Sequence, residues 1–232
     1  MLTEHHGVVR AVAKGVRRTT SKFGARLDSF VHTSILFHRG RGLDTITQAE
    51  IVDTHALLRE DYLRYIFGSA MLEMVWRSLH EDQQVPRLFE ALELSLRSLE
   101  GEVCDYPLLL AAFELKVCSL IGYRPRLLEC AYCGTVLAGR SGYLSLGSGG
   151  VVCEKCVGQT ESSRRVDAES LALAQSLLHE PMQRIAGLRV PEERSRETFR
   201  LSLDFTEYHL ERTLRSHAVI LRHLSGNRDD KG

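Results

Sequence analysis

The spacing of apolar residues divides the chain into a β-rich head and a helical remainder. Apolar residues punctuated by basic ones run over Val8–Lys14, and two further β-prone runs, Phe30–Arg39 and Leu43–Val52, flank the short Gly40-Arg41-Gly42 segment. Two such runs joined by a glycine-containing loop are typical of a β-hairpin. We therefore predict three strands in the head, with the basic and polar segment Val16–Leu27 as a loop after the first.

From about Thr54 onwards the apolar residues recur at steps of three and four, which is the period of an amphipathic helix. In the first such stretch they form one face: Leu58, Tyr62, Tyr65, Leu72, Val75 and Leu79. The ends of further helices are predicted from glycine and proline residues at the edges of the periodic stretches and from Asp167, which suits the N-cap position. These are predicted over Pro86–Leu99, Pro107–Ile121, Asp167–Leu178 and Glu193–Leu224. The predicted fold class is therefore α+β, and mostly α.

Composition places the chain among ordinary globular proteins. It has 232 residues, of which 44% are hydrophobic and 26% charged, as expected for one or two domains. The longest purely apolar run, Leu108–Phe113, is too short to span a membrane, and Met1–Val9 lacks the features of a secretory signal. Six cysteines are too few for a disulfide scaffold in a chain of this length. We therefore expect a soluble, cytoplasmic protein.

Four of the six cysteines form two CxxC pairs, Cys130/Cys133 and Cys153/Cys156, with nineteen residues between the pairs. This spacing is typical of a structural zinc site, because each CxxC turn places two thiolates on one side of a tight loop and two turns complete a tetrahedron of sulfurs. The glycine-rich segment between the pairs, with Tyr143–Leu146 at its centre, predicts the small hairpin of a zinc ribbon. One structural Zn²⁺ is the favoured cofactor. Unligated thiols, a redox pair and bound iron remain the alternatives.

The remaining candidate chemistry is sparse. Cys104 and Cys118 fall in the helical part of the chain, where a cysteine is usually a small buried apolar residue. The ten histidines form no recognisable ligand spacing, and the chain has no phosphate-binding loop, GxSxG motif or dinucleotide-binding fingerprint. We therefore predict no catalytic residues and no enzyme activity.

The net charge of zero conceals a basic head. Residues 1–42 carry eight Lys and Arg against two Asp and Glu, whereas residues 43–129 carry eight against fifteen. Such a head suits the phosphates of nucleic acid, although a solvated face is the simpler explanation. The candidate DNA-binding residues are Arg10, Lys14, Arg17, Arg18, Lys22, Arg26, Arg39 and Arg41. Three phenylalanines of the head, Phe23, Phe30 and Phe37, could stack on bases, but core positions are the commoner role for phenylalanine in a β-run.

Together these motifs resemble a known family. The run Val9-Arg10-Ala11-Val12-Ala13-Lys14-Gly15, the basic loop and the run from Gly40 to Glu50 resemble the N-terminal OB-fold of the bacterial recombination mediator RecO, and the helices and the four-cysteine finger follow in the same order. The resemblance covers nearly the whole chain. It implies an OB barrel, a helical domain and a zinc ribbon. It also implies that the protein binds single- and double-stranded DNA in the nucleoid, anneals complementary strands and, with RecR, helps RecA displace single-strand-binding protein during gap repair.

The chain departs from the family pattern at its start. A RecO OB-fold has a first strand and most of a second before the point that Met1-Leu2-Thr3 resembles, and five strands normally close the barrel. We therefore expect an incomplete OB-type barrel over residues 1–53 and a helical domain over residues 54–232, with the zinc ribbon inserted at about 127–158. A start codon upstream of Met1 is our preferred explanation, and a degraded barrel is the alternative.

Two other classes of function remain open at this point. A zinc-ribbon adaptor could bind only proteins and use its basic head for an acidic partner. A zinc-stabilised nucleic-acid enzyme is disfavoured, because no catalytic constellation is visible in the sequence.

Overall fold

A computed structural model of the protein describes residues 1–16, 23–40, 42–79, 83–85 and 87–226. The strands in these ranges are β1 (Leu2–Thr3), β2 (Gly7–Val8), β3 (Ala11–Val12), β4 (His32–His38), β5 (Asp44–Asp53), β6 (Gly142–Ser145), β7 (Gly150–Val152) and β8 (Arg164–Val166). The α-helices are α1 (Leu57–Glu60), α2 (Tyr62–Ser78), α3 (Leu88–Glu100), α4 (Tyr106–Leu120), α5 (Ala168–Leu177), α6 (Met182–Ala186), α7 (Glu192–Leu210) and α8 (Arg215–Gly226). None of the helices within these ranges is long and apolar enough to cross a bilayer.

The head is a small mixed sheet and does not close into a barrel within the described residues. The predicted hairpin is confirmed, since β4 and β5 pair antiparallel over their whole length, with irregular register at His32/Thr33 and Leu36/Phe37. Strand β3 pairs parallel to β5, whereas β1 and β2 form a separate two-stranded ladder. The first predicted strand is therefore wrong in its extent: the chain leaves strand geometry at Val9 and Arg10, and its two halves join different sheets.

Phe30 attaches the head to the helices and does not begin a strand, contrary to the sequence prediction. Its backbone has a φ of +67°, a conformation that strand residues do not adopt. The ring is 5% exposed and lies edge-on to Tyr65 at 5.7 Å between centroids. A Cβ at Gly68 of α2 would lie 2.9 Å from the Phe30 ring, so glycine is needed there for the head to dock on α2.

Helix α4 forms the centre of the helical region. All residues from Leu108 to Leu115 are buried, and α2, α3, α5, α6 and α7 pack around them. The side chain of Asp105 caps the helix by accepting from the N–H of Leu108 at 2.9 Å. Asp167 caps α5 in the same way, as predicted, by accepting from the N–H groups of Glu169 and Ser170.

The C-terminal part of the chain differs from the prediction of one long helix over Glu193–Leu224. The apolar stripe continues through this stretch, but Glu211 adopts a left-handed conformation with φ of +52° and separates α7 from α8. The side chain of Glu207 accepts from the N–H of Leu214 at 3.1 Å and so replaces the interrupted helical hydrogen bonding. The chain therefore turns at Glu211, and the N–H of Leu214 keeps a partner after the turn.

The two cysteines outside the CxxC pairs have different environments. Cys118 is buried in α4, as predicted, and its sulfur lies 3.6 Å from the Thr206 hydroxyl of α7. The prediction for Cys104 was wrong, because this residue is exposed and lies in the loop before α4. The loop is fixed through its backbone: the N–H of Cys104 donates to the carbonyl of Ala186 at 2.8 Å.

A buried ionic network joins α8 to the central helix. Glu114 of α4 is fully buried; one oxygen lies 2.6 Å from His217 Nε2 and the other accepts from the Ser202 hydroxyl at 2.7 Å. His217 Nδ1 lies 3.0 Å from a carboxylate oxygen of Glu207. Burial by itself lowers the pKa of His217, but the charges and hydrogen bonds of Glu114 and Glu207 outweigh it and raise the pKa to about 9.

This network predicts a loss of stability at alkaline pH. Because the folded-state pKa of His217 lies above the value of about 6.5 for an unfolded histidine, its contribution is complete below pH 6.5 and disappears as the pH rises to about 9. We expect the free energy of unfolding to fall over this window by an amount on the scale of about 1.4 kcal/mol for each pKa unit. Urea unfolding between pH 6 and pH 9.5 measures it.

The variant His217→Asn should remove that pH dependence. It should also lower stability at pH 6 by about 3–5 kcal/mol, since the buried Glu114 loses its opposite charge. His5→Asn is the control, because the His5 side chain is 77% exposed. Parallel loss of stability in the parent and in His217→Asn across the window would contradict the assignment.

Candidate metal centre and nucleic-acid surface

The first CxxC pair lies on a tight turn after α4. Within it, the N–H of Gly134 donates to the carbonyl of Cys130 at 2.9 Å, and the N–H of Cys130 donates to the carbonyl of Thr135 at 2.8 Å. Gly134 has a φ of +72°, which a glycine adopts without strain. A further hydrogen bond, from the N–H of Ala131 to the carbonyl of Val151 at 2.7 Å, fixes this turn against β7.

The second pair begins directly after β7, and its position follows from the ribbon sheet. Strand β6 pairs antiparallel with β7 and with β8, which confirms the hairpin predicted around Tyr143–Leu146 and adds a third strand. The strand β7 also passes against the segment before the first pair: a Cβ at Gly150 would lie 2.2 Å from the carbonyl oxygen of Arg126. The crossing therefore requires glycine and brings both turns to the same end of the sheet.

The four cysteine sulfurs meet as the sequence predicts. The sulfurs of Cys130, Cys133, Cys153 and Cys156 all lie within 4.8 Å of one another, and the Cys133 and Cys153 sulfurs are 3.8 Å apart. Sulfurs placed at about 2.3 Å from one tetrahedral Zn²⁺ are about 3.8 Å apart, whereas a disulfide would need about 2.05 Å. The spacing suits a metal ion and not an oxidised pair.

The groups around Cys130 and Cys133 favour the deprotonated, thiolate form of these two cysteines. The Thr135 hydroxyl and N–H lower the pKa of Cys133 to about 6. Burial raises the pKa of Cys130, but the N–H groups of Cys133 and Cys153 outweigh it and leave that pKa below its ordinary value. Desolvation and the neighbouring thiols raise the pKa of Cys156 to about 12. Four thiolates this close repel one another, and a divalent cation is the group that stabilises all of them together.

Two of the predicted DNA-binding residues share one groove. Arg10, between β2 and β3, and Arg39, just after β4, line a cavity of about 600 Å³ together with Phe37 and Gln84. Phe37 is half-buried, so part of its ring remains accessible in this groove. The groove therefore combines two guanidinium groups with an aromatic ring.

The other candidates are placed separately or lie outside the described ranges. Arg26 lines a different depression, of about 560 Å³, with Thr47, Gln48 and the buried Phe23. Lys14 is exposed and lies beyond β3. Outside the residues that the structure describes are Arg17, Arg18, Lys22 and Arg41. Phe23 and Phe30 are core residues, which agrees with the commoner role expected for them.

Sequence reasoning missed a basic groove on the helices. It has a volume of about 520 Å³, and its lining combines the apolar Leu94, Leu120 and Leu178 with the basic Arg87, Lys116 and Arg124, the acidic Glu90 and His179. Burial lowers the pKa of Lys116, whose amine donates to the carbonyl of Leu178 at 3.0 Å. These residues come from α3, α4, the segment after α4 and the end of α5. No local motif marks them, because only the packing of the helices brings them together.

Comparison with known proteins gives one family. A family profile described as "Recombination protein O N terminal" matches residues 1–55, and one described as "Recombination protein O C terminal" matches residues 59–218. A "DNA repair protein RecO" of Pelotomaculum thermopropionicum is 38% identical over 223 residues, which cover 96% of this chain and 86% of the relative. Proteins of the same description from Frankia casuarinae and Thermobifida fusca are 39% and 36% identical, covering 93% and 96% of this chain and 87% and 90% of the relatives.

The family profiles match both the head and the helical region with its cysteine ribbon, and the relatives are similar over nearly the whole chain. The chain belongs to the RecO family of DNA repair proteins.

Proposed function

We propose that this RecO-family protein is a DNA-binding recombination mediator. In this role it anneals complementary single strands and, with RecR, assists the loading of RecA in gap repair, by binding and without catalysis. The observation that carries the proposal is the groove that Arg10, Arg39 and Phe37 line together. Guanidinium groups neutralise phosphates of any sequence, and an aromatic ring can stack on any base, as a mediator without sequence preference requires.

The competing function is a zinc-ribbon adaptor that binds proteins and not nucleic acid. In that case the head residues would contact an acidic partner, and the groove would leave oligonucleotides unbound. The exposed residues of the first cysteine turn, Leu128, Tyr132 and Val136, would suit such a contact. The two functions differ in whether mutation of the groove alters DNA binding and annealing, or only the capture of RecR.

The groove predicts a defined salt dependence of DNA binding. Each phosphate contact on a single strand contributes about 0.7 to the slope of log K against log salt. The double variant Arg10→Ala/Arg39→Ala should therefore bind all single-stranded sequences more weakly, with a slope smaller by roughly 1.4. Fluorescence anisotropy of labelled oligonucleotides at several salt concentrations measures this, and annealing of complementary strands should slow in parallel.

A matched variant removes the same charge elsewhere. Arg165→Ala/Arg184→Ala changes two exposed arginines outside the head and should leave the salt slope unchanged. Arg17→Ala/Arg18→Ala tests the basic loop by the same titration, again with an expected change of roughly 1.4 if both contact phosphate. Unchanged binding in both head variants, with RecR capture lost, would favour the adaptor.

We also propose that the four cysteines hold one structural Zn²⁺. Cys130 and Cys156 are buried in the same hydrophobic core as the helices, so metal binding should stabilise more than the ribbon. Purified protein should contain about one zinc per chain, and Cys130→Ser/Cys153→Ser should lose it and unfold at a lower temperature. Elemental analysis and thermal unfolding measure both effects.

The control for the zinc experiment is Cys104→Ser, because Cys104 is exposed and outside the cluster. It should retain the full metal content. If the protein contains one iron per chain and no zinc, the four cysteines still form the metal site, but the bound ion is iron. Substoichiometric metal in a well-folded protein, with all four thiols reacting freely, would contradict the proposal.

For the basic groove on the helices we propose the acidic C-terminal tail of single-strand-binding protein as the ligand. Apolar side chains beside three basic residues and one acidic residue give the groove a net positive charge, which suits a short peptide that combines apolar side chains with carboxylates. By binding this tail, the groove would bring the mediator to single-stranded DNA that single-strand-binding protein already covers.

The tail proposal predicts that charge reversal in the groove weakens binding. Arg124 is exposed, so Arg124→Glu should leave the fold intact and reduce affinity for a synthetic tail peptide at least tenfold, about 1.4 kcal/mol. Isothermal titration with the peptide measures the change. Arg212→Glu, at another exposed arginine, is the control. If Arg124→Glu and Arg212→Glu bind the peptide with equal affinity, the tail does not bind in this groove and the proposal is wrong.

A further inference from the structure

Outside the cysteine cluster, histidine and carboxylate side chains from three segments meet between the head and α3. His32 lies at the start of β4, Asp53 and His55 lie at the end of β5, and Glu93 and Glu100 lie on α3. One ligand atom each of Asp53, His55 and Glu93 lie within 4.8 Å of one another. Neither the family match nor the proposed DNA-binding role assigns any function to this group.

His55 is held in a way that suits a metal ligand. It is 1% exposed, and its backbone has a φ of +41°, an uncommon conformation for a residue other than glycine. Its Nδ1 lies 2.8 Å from an oxygen of Glu100. A carboxylate on one ring nitrogen fixes the tautomer and presents the lone pair of the other nitrogen, as second partners of metal-bound histidines do.

The other ring nitrogen faces a carboxylate oxygen at metal-ligand spacing. His55 Nε2 lies 3.2 Å from Glu93 Oε2, and atoms bound to one ion by bonds of about 2.0–2.2 Å lie roughly 3–4 Å apart. The second oxygen of Glu93 accepts from Arg97 Nε at 2.9 Å, which orients Oε2 towards His55. Asp53 accepts from the N–H of His55 at 3.1 Å, so its carboxylate is fixed beside the ring.

A second imidazole lies at the edge of the group. His32 Nδ1 is 3.6 Å from Glu93 Oε1. This nitrogen is shielded from solvent and makes no hydrogen bond. It lies beside Glu93 but outside the group of three close ligand atoms, so His32 is a neighbour of the site and not one of its ligands.

The charges of the group favour a dication. Asp53, Glu93 and Glu100 bring three negative charges, whereas Arg97, which pairs with Asp53 and Glu93, supplies one positive charge. Without an ion, a proton that His55 shares with Glu93 and Glu100 offsets part of the remaining negative charge, and a divalent ion would take the place of that proton. Imidazole nitrogen combined with carboxylate oxygen suits first-row ions such as Mn²⁺ and Zn²⁺ better than Ca²⁺, which prefers oxygen alone.

We propose that Asp53, His55 and Glu93 bind a divalent first-row metal ion, with Glu100 as the residue that positions His55. Because Asp53 ends β5, His55 follows it and Glu93 belongs to α3, the ion would join the head to the helical region. The site is independent of the cysteine cluster, which offers only sulfur.

Manganese is the probe that separates this site from the cysteines, since Mn²⁺ prefers oxygen and nitrogen to thiolate. Protein purified with its cysteine site loaded with zinc is titrated with Mn²⁺, and the free ion is followed by electron paramagnetic resonance. We expect one Mn²⁺ per chain. Pulsed resonance should show modulation from a coordinated imidazole nitrogen, a signature that an ion pair alone would not give.

The variants test each part of the proposal. Asp53→Asn and Glu93→Gln keep the shape of the side chains and should bind Mn²⁺ at least tenfold more weakly. Glu100→Gln should weaken binding by about 10–100-fold and retain the imidazole signal, as expected of a positioning residue. Glu50→Gln, an exposed carboxylate on the same strand as Asp53, is the matched control and should bind like the parent.

Retained zinc content and an unchanged circular dichroism spectrum show that each variant is folded. Absence of Mn²⁺ binding to the folded parent at millimolar concentration would overturn the proposal and leave an ion-pair network between head and α3. Equal binding in Asp53→Asn and Glu50→Gln would overturn it as well. Neither result bears on DNA binding, which is measured separately with the head variants.

Discussion

The burial of the Leu108–Leu115 segment of α4 is the constraint on which the rest of the fold depends. A helical segment that is buried around its whole circumference must be covered on every side, and five other helices pack against α4 here. The same burial makes Glu114 costly, because an ionised carboxylate without water needs an opposite charge and hydrogen bonds. His217 and Ser202 supply them, so Glu114 ties α8 and α7 to the central helix. The network of Glu114, His217 and Ser202 is thus needed because the packing of the helices around α4 removes Glu114 from water.

The ribbon and the head attach to this core by different means. The ribbon contributes apolar strand residues and the buried Cys130 and Cys156 directly to the central hydrophobic cluster, so the cysteine site and the helices share one core. The head is held at fewer points. Phe30 docks on Gly68 of α2, and the carboxylates of α3 hold His55 at the end of β5. The charged cluster around His55 therefore adds polar contacts with α3 to the apolar docking of Phe30 on α2.

The parts of this structure that sequence predicted are those encoded locally. The CxxC spacing predicted that four sulfurs would meet, the Asp167 cap predicted the start of α5, and the glycine between two β-prone runs predicted the β4–β5 hairpin.

The predictions that failed concern properties that depend on residues far apart in the sequence. The apolar stripe continues past Glu211, so the sequence pattern gives no sign of the break between α7 and α8. That break depends on a tertiary feature, the hydrogen bond from the N–H of Leu214 to the Glu207 side chain. Cys104 is exposed because it lies in the loop between α3 and α4, whose backbone is held by the carbonyl of Ala186. The clusters around His55 and His217, and the basic groove on the helices, have no motif because each combines residues that are far apart in sequence.

The two proposed binding surfaces meet at the connection between α2 and α3. Gln84 lines the head groove with Arg10 and Arg39, while Arg87, three residues later, lines the basic groove of the helices. The connection also lies tightly against the head, because a Cβ at Gly7 would be 2.2 Å from the carbonyl oxygen of Gln83. Only glycine permits this approach, and its φ of +65° there suits no other residue well. A strand bound in the head groove and a peptide bound in the helical groove would therefore contact opposite ends of one short segment. Under the proposed function, a DNA strand and the tail of the protein that coats it would thus bind side by side, at residues only three positions apart in the chain.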